Sequence, residues 1–308
     1  MSEVQIDINH AYDYCQSLAK SHYENFPVAS ILLPKRLRKS ISVIYAFART
    51  ADDFADEGDA PQHIRLQQLD EYSEHIAQIS QQKYQGDHPI FIALADVIQS
   101  HNLPISLFED LLSAFKQDVV KSRYANFDEV LDYCTRSANP VGRLLLHLNG
   151  KPSDQQLQQS DAVCTALQLI NFYQDIVQDY TESDRIYIPQ NELAQAAFVA
   201  ADLIKADTHT IAPLIRSLYQ RAQKLMEIGA PLGASLTGRM GWEVRAMTLG
   251  GITTLHQLNQ QPDQNLLTRP RLTKLIFIKI MLHSSNSTCY RKQINQLLNY
   301  RELWSHYV

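Results

Sequence analysis

The sequence predicts an all-α chain. Three observations carry that prediction. Apolar residues recur at helical spacing, alternating strand runs with hairpin turns are absent, and only 10 of the 308 residues are glycine. Glycine normally supplies about 7 % of a chain, and turn-rich β folds depend on it. An apolar share of 45 % beside 20 % charged residues is enough for a core and argues against wholesale disorder.

The elements follow in chain order. Ile41, Val43, Ile44, Phe47 and Phe54 surround a run of polar residues on a first long helix. Phe108, Leu111, Leu112, Phe115 and Val119 lie at i, i+3, i+4, i+7 and i+11, behind Pro104 in a first turn that tolerates it. Val163, Leu167, Ile170, Phe172, Ile176 and Val177 mark a helix apolar on most sides, which belongs in a core. Leu214, Leu218, Ala222, Leu225 and Ile228 repeat the period. The breakers fall between these runs, at Gly58–Pro61, Gly86–Pro89, Gly150–Ser153, Ser183–Pro189 and Gln261–Asn265. We read roughly ten helices in a single domain over residues 1–283, then a loosely packed terminal helix over 284–308.

Composition excludes several functions. Net charge is −5 and no basic stripe offers itself to a phosphate backbone, so nucleic acid is not an expected partner. Leu275–Leu282 is far short of the ~18 apolar residues of a membrane span and is interrupted by Lys279. The opening MSEVQIDINH is too polar for a secretory signal, so a cytoplasmic location is expected. Cys15, Cys134, Cys164 and Cys289 form no CxxC pair, which argues against a zinc site or disulfide framework. The histidines show no metal spacing. No GxGxxG is present, so no nicotinamide cofactor is expected.

Two acidic rows carry the chemistry. In the first, Tyr45, Arg49, Asp52 and Asp56 fall within roughly 60° of a helix at ~100° per residue, with Asp53 beside them. In the second, Gln168, Asn171, Asp175 and Asp179 occupy about 80° of one face. Carboxylates at i, i+4 repel, and burial makes the repulsion worse unless a cation intervenes. Magnesium fits: it prefers oxygen ligands and is commonly held by one or two carboxylates plus substrate phosphates. Opposed rows would grip a diphosphate through Mg²⁺, more than one ion being expected, and stabilise charge as its C–O bond breaks. A single DxxxD is more often a solvated face; two such rows in one helical chain point to function.

At these residues the sequence resembles the squalene and phytoene synthase family. The motifs are Tyr45-Ala-Phe-Ala-Arg49-Thr-Ala-Asp52-Asp53-Phe-Ala-Asp56 and Gln168-Leu-Ile-Asn171-Phe-Tyr-Gln174-Asp175-Ile-Val-Gln178-Asp179, followed by Arg185-Ile-Tyr187-Ile-Pro189. The resemblance runs from about His22 to about Ile280. The stretches His22–Ser30, Arg49–Gly58, Ser137–Arg143, Gly238–Arg245 and Arg269-Pro-Arg271 are similar to the bacterial hydroxysqualene synthase (HpnC-like) branch. The resemblance implies an isoprenoid synthase-type helical bundle around a central cavity. It implies Mg²⁺-dependent conversion of presqualene diphosphate to hydroxysqualene, a step toward squalene and hopanoids. Alternatives on the same scaffold are presqualene diphosphate, squalene or phytoene synthases, which join two prenyl diphosphates head to head. From another class, a non-catalytic helical assembly factor would show eroded acidic rows.

By that resemblance Asp52, Asp56, Asn171, Asp175 and Asp179 are the Mg²⁺ ligands, with Asp53 an acid behind them. Tyr45, Arg49, Gln168, Arg185, Tyr187 and, more weakly, Arg245 are expected at the substrate. Arg49 would grip diphosphate bidentately or pair with Asp52 or Asp53 on its own helix, and the two roles are compatible. Tyr45 would face the anion or pack in the core. Phe26, Tyr133, Phe172 and Tyr173 would offer ring faces to a cyclopropylcarbinyl-type cation or simply fill the core. Asn139, before Pro140, would orient the quenching water or mark a helix kink. The resemblance also implies a polyprenyl diphosphate handed over by a presqualene diphosphate synthase, and a product passed to a hydroxysqualene reductase. A lipid substrate implies peripheral contact with the inner membrane.

Overall fold

The computed structural model describes residues 7–21, 32–56, 58–203, 205 and 207–298. Among them the regular structure is helical, apart from one isolated parallel bridge between Arg123 and Ile186. The helices are shorter and more numerous than expected, because runs that read as one element break at caps such as Asp175 and Ala230. None among the described residues is long and apolar enough to cross a membrane.

The chain forms two compact units, Met1–Lys121 with Pro140–Pro152, and Ser122–Asn139 with Ser153–Val308. The first contains α1 (Ile8–Ser21), α2 (Arg38–Asp56), α3 (Gln62–Ser80), α4 (Pro89–His101), α5 (Ser106–Val120) and, after its first residue, α7 (Asn139–Asn149). Helix α2 is its centre and touches α1, α3, α4 and α5. The reason is its apolar face: Val43, Ile44, Phe47, Ala51 and Ala55 are all buried. The Phe47 ring lies 5.9 Å from Tyr72, 6.1 Å from Phe91 and 5.5 Å from Phe108, the last two edge-on, a geometry that the ring quadrupole favours. The end of α2 is held by Arg65. Its guanidinium donates to the carbonyls of Ala55, Gly58 and Ala60, and Gly58 supplies the positive φ (+75°) of that turn. The last turn of α2, which bears Asp52 and Asp56, is thereby fixed to α3.

The second unit contains α6 (Phe127–Ser137), α8 (Asp154–Gln174), α9 (Ile176–Ser183), α10 (Gln190–Gln195), α11 (Thr208–Gly229), α12 (Pro231–Ser235), α13 (Gly238–Gln260), α14 (Lys274–Ser284) and α15 (Ser287–Leu298). Ser153 and Gln156 close a capping box that starts α8, satisfying two backbone N–H groups at once. Helix α8 packs on α11, and a glycine permits the approach. A Cβ at Gly229 would lie 2.6 Å from Val163 Cγ2 and 2.8 Å from the Gln159 carbonyl oxygen. Helix α13 touches α8, α11, α12, α14 and α15.

The terminal helix differs from expectation. Where the polar lead-in suggested loose packing, α15 buries Tyr290, Ile294 and Leu298, and the Tyr290 hydroxyl donates to the Ala230 carbonyl at 2.8 Å. Three apolar positions at i, i+4 and i+8 outweigh the polar residues between them.

Gly229→Ala should cost about 2 kcal/mol through overpacking at the α8–α11 crossing. Urea denaturation would read this as a lower midpoint at unchanged slope. An unaltered midpoint would mean that the helices separate freely there.

Candidate functional site

Helix α2 presents the first row. Arg49 pairs within the helix: its Nη2 lies 2.6 Å from Asp53 Oδ1, and its Nη1 lies 3.7 Å from Asp52 Oδ2. The ion pair foreseen as an alternative role for Arg49 is therefore formed, chiefly with Asp53. Asp53 neutralises the arginine from one side, while Asp52 makes only the longer contact with it. Tyr45 is partly buried one turn earlier. Burial pushes its hydroxyl pKa up, and Arg49 offsets part of the rise. Asp56 is exposed at the end of the row.

The second row lies at the junction of α8 and α9. The spacing predicts one unbroken helix, but α8 ends at Gln174, and Asp175 (φ −107°, ψ 13°) breaks it. The turn repeat survives the break. The Asp175 N–H donates to the Asn171 carbonyl at 3.1 Å, and the Asp179 N–H donates to the Asp175 carbonyl at 2.8 Å. Asn171, Asp175 and Asp179 thus remain successive, one turn apart. Asn171 is exposed, and its Oδ1 accepts from Gln174 Nε2 at 3.3 Å; Gln168 is partly buried one turn before it.

Burial raises the pKa of Asp179 to about 7, and the neighbouring charge of Asp175 adds to the rise. Burial also raises Asp175, against the opposing charge of Arg269. Arg269 Nε lies 3.2 Å from Asp175 Oδ1, an ion contact that sequence reasoning did not foresee. Its only signal was the Arg269-Pro-Arg271 stretch.

A short segment after α9 completes the cluster. Asp184 (φ +48°) caps α9, and the Arg185 N–H returns to the Asp179 carbonyl at 3.0 Å. The Ile186 N–H donates to the Ser122 carbonyl at 3.0 Å, and Arg123 pairs with Asp184 at 2.6 Å. These bonds hold Arg185 and Tyr187 beside the acids. Arg185 Nη1 reaches the Tyr187 hydroxyl at 3.4 Å. The Tyr187 ring stacks on Phe172, with centroids 3.5 Å apart and 7° between planes. Tyr133 lies 5.9 Å from Tyr187, and Tyr124, which sequence reasoning missed, lies 5.5 Å from it. All four rings are buried.

Other expected residues go elsewhere. Tyr173 packs toward Tyr219 and bonds Arg221, away from the Tyr187 stack. Asn139 is buried and accepts from the Thr165 hydroxyl of α8 at 2.9 Å, so its side-chain oxygen is occupied within the second unit. Phe26 lies outside the described residues. Arg245 needs correction as an anion ligand. It is only 6 % exposed, and it donates to the carbonyls of Ser284 (2.5 Å), Gly233 (2.9 Å) and Leu236 (3.3 Å). Buried carbonyls at the ends of α12 and α14 need donors, and the guanidinium fork supplies them.

Among the described residues, no three of His, Cys, Asp and Glu converge closely enough to hold a metal by themselves. The donors present suit the other mode of magnesium binding, in which one or two carboxylates act together with phosphate oxygens. Asp175 Oδ1 is buried with the Arg269 guanidinium as its ion contact, and Asp179 repels it from one turn away. A hard cation would relieve both. One further acid was not foreseen. Glu243 on α13 is 1 % exposed, neither of its oxygens has a hydrogen-bond partner among the described residues, and burial raises its pKa to about 7.

Comparison with known proteins now bears on these clusters. The squalene/phytoene synthase family model matches residues 19–275. Over 223 residues the chain is 35 % identical to the hydroxysqualene synthase of Rhodopseudomonas palustris, covering 72 % of this chain and 74 % of that one. It is 34 % identical over 218 residues to the hydroxysqualene synthase of Sinorhizobium fredii, covering 70 % and 73 %. The solved squalene synthase HpnC of Alicyclobacillus acidocaldarius matches with a TM-score of 0.74 at 34 % identity, covering 82 % of this chain and 95 % of that one.

Two outcomes follow from the buried charges. Arg245→Leu should lower stability by about 3 kcal/mol, the cost of abandoning several buried carbonyls, while calorimetric binding of Mg²⁺–pyrophosphate to the folded variant stays unchanged. Weaker pyrophosphate binding would return Arg245 to the anion site. Glu243 has a folded pKa raised from 4.5 to about 7, so its contribution to stability is present at low pH and lost as pH rises through 7. The stability of Glu243→Met relative to the parent should therefore improve by about 3 kcal/mol from pH 5 to pH 8. A constant difference across that range would show that Glu243 does not titrate there.

Proposed function

Because the chain belongs to the squalene/phytoene synthase family, we propose that it converts presqualene diphosphate to hydroxysqualene with release of diphosphate. The single observation that carries the reading is the place of Tyr187. Its hydroxyl meets Arg185 beside Asp179, and its ring stacks on Phe172. One side chain thus joins an anion-binding end to an aromatic wall, which is what a substrate with a diphosphate head and a cationic intermediate requires.

Asp52, Asp56, Asn171, Asp175 and Asp179 are the residues that would hold Mg²⁺. When bound, the metal supplies positive charge to the departing diphosphate. In the second unit Arg185 and the Tyr187 hydroxyl bind diphosphate oxygens and Gln168 orients the head group; in the first unit Tyr45 is the hydroxyl offered to an anion. Arg49 does the same once a diphosphate competes with Asp53 for its fork. The C–O bond breaks with its electron pair going to the diphosphate. Tyr133, Phe172 and Tyr187 then offer ring faces to the carbocation and exclude bulk water from it. Water adds to the cation and releases a proton, giving an alcohol. That closure needs no hydride, so the reaction needs no nicotinamide.

The same reading places the protein in the cytoplasm, in peripheral contact with the inner membrane from which its polyprenyl substrate comes. A presqualene diphosphate synthase would supply the substrate, and a hydroxysqualene reductase would consume the product. Residues 1–283 would form the synthase domain and 284–308 a terminal segment attached to it.

Incubation of the purified protein with presqualene diphosphate and Mg²⁺, without nicotinamide, should yield hydroxysqualene by mass spectrometry. Asp175→Ala should lower kcat by at least about 100-fold, the scale of one lost electrostatic group at a charge-developing centre. Consumption of farnesyl diphosphate while presqualene diphosphate stays untouched would overturn the substrate assignment. Full turnover by Asp175→Ala would remove the acidic row from the reaction.

A further inference from the structure

The last third of the second unit carries a surface that the chemistry above does not use. Helix α14 is apolar on its outer side as well as its inner one. Its inner side seats Ile280 and Ser284, both buried. On the outer side Leu275 is 73 % exposed, Ile278 52 % and Leu282 65 %. These three share one face, at i, i+3 and i+7. Phe277 and, just before the helix, Leu272 are also exposed. Isolated exposed leucines are ordinary, but a contiguous group on one helix marks a contact surface.

Charge says what the contact is with. Between Gln264 and Leu298 the sequence has six Lys or Arg and no Asp or Glu, in a chain of net charge −5. Arg271, Lys274 and Lys279 are exposed around the apolar group and form no ion pair among the described residues. Lys279 lies about 40° round the helix from Leu275. Apolar side chains flanked by exposed cations, in a segment that itself contains no acid, fit an anionic lipid surface: the aliphatic groups enter the acyl boundary and the cations meet the headgroups. A protein partner or a second copy of this chain would have to bring acids to the same place, and the chain's excess of acids lies outside this segment.

We infer that α14 with its lead-in Arg271–Thr273 is the element by which the protein docks, in the plane of the interface, on an anionic bilayer. This rests on the peripheral membrane contact proposed above, not on the identity of the product.

The test uses the full chain and two kinds of vesicle, phosphatidylglycerol with phosphatidylethanolamine, and phosphatidylcholine alone. The parent should co-sediment with the anionic vesicles at least tenfold better than with the neutral ones, and 0.5 M salt should reduce that preference. A Leu275→Ser, Ile278→Ser, Leu282→Ser variant should lose binding to both by tenfold or more. A Lys274→Glu, Lys279→Glu variant should lose only the preference for anionic lipid. Both should keep the parent's helical circular dichroism and its turnover of detergent-dispersed substrate, which reports on the reaction separately. Equal vesicle binding by parent and triple variant would overturn the inference. So would a parent that ignores vesicles but forms a dimer in sedimentation that the triple variant abolishes, because α14 would then be a protein interface.

Discussion

The constraint on which the rest of the second unit depends is that Asp175 and Asp179 stand one turn apart and partly out of water. Two carboxylates so placed cannot both ionise cheaply: burial raises the pKa of Asp179 to about 7, and the neighbouring charge of Asp175 adds to the rise. Everything around them either limits the conflict or uses it. Arg269 approaches one acid, and the Arg185 backbone closes on the carbonyl of the other. The short pairing of Ser122–Tyr124 with Ile186–Gln190 keeps the whole loop in place. A chain selected only for stability would replace one of these acids with an amide or an apolar residue. Their presence makes sense if a cation and an anion are to be bound there together.

The first unit meets the same constraint differently. Its row lies nearer solvent, and Arg49 supplies an internal countercharge, held mainly by Asp53. That pairing leaves Asp52 and Asp56 on the row with less direct compensation from Arg49, while preventing three acids in one turn from forcing the helix apart. Arg65 then fixes the turn that follows, so that the row cannot fray. Arginine thus has three different roles here, set wholly by what its donors meet. Arg49 is an exchangeable salt-bridge partner, Arg185 faces a tyrosine hydroxyl and an acid, and Arg245 is a fixed donor to backbone carbonyls.

How much of this was legible follows from the range of each interaction. Helices and acidic rows depend on neighbours three and four residues apart, and spacing alone disclosed them. The break at Asp175 was not legible, because no proline or glycine stands there and the i, i+4 bonds continue across it. The Asp175–Arg269 contact joins residues far apart in sequence, and no local pattern encodes it. Tyr124 joined the aromatic cluster through a backbone bridge, not through periodicity. Arg245 was read as an anion ligand because the sequence displays its charge and hides the carbonyls that occupy it. The packing of α15 was underestimated for a related reason: Tyr290, Ile294 and Leu298 are sparse in sequence but lie on one face in space.

The same distinction bears on what the acids can do. A buried carboxylate with no partner is usually neutral, and Glu243 is of this kind among the described residues: burial sets its state. Asp179 differs, because part of its shift comes from a neighbouring charge that a cation would reverse in sign. Burial is a property of the fold and persists whatever binds, whereas positive charge between the two carboxylates would offset the repulsion from Asp175. The second row would therefore gain from a bound cation in a way that Glu243 would not. Proximity to charge, more than burial, is what separates an acid that waits for a ligand from one that is merely enclosed.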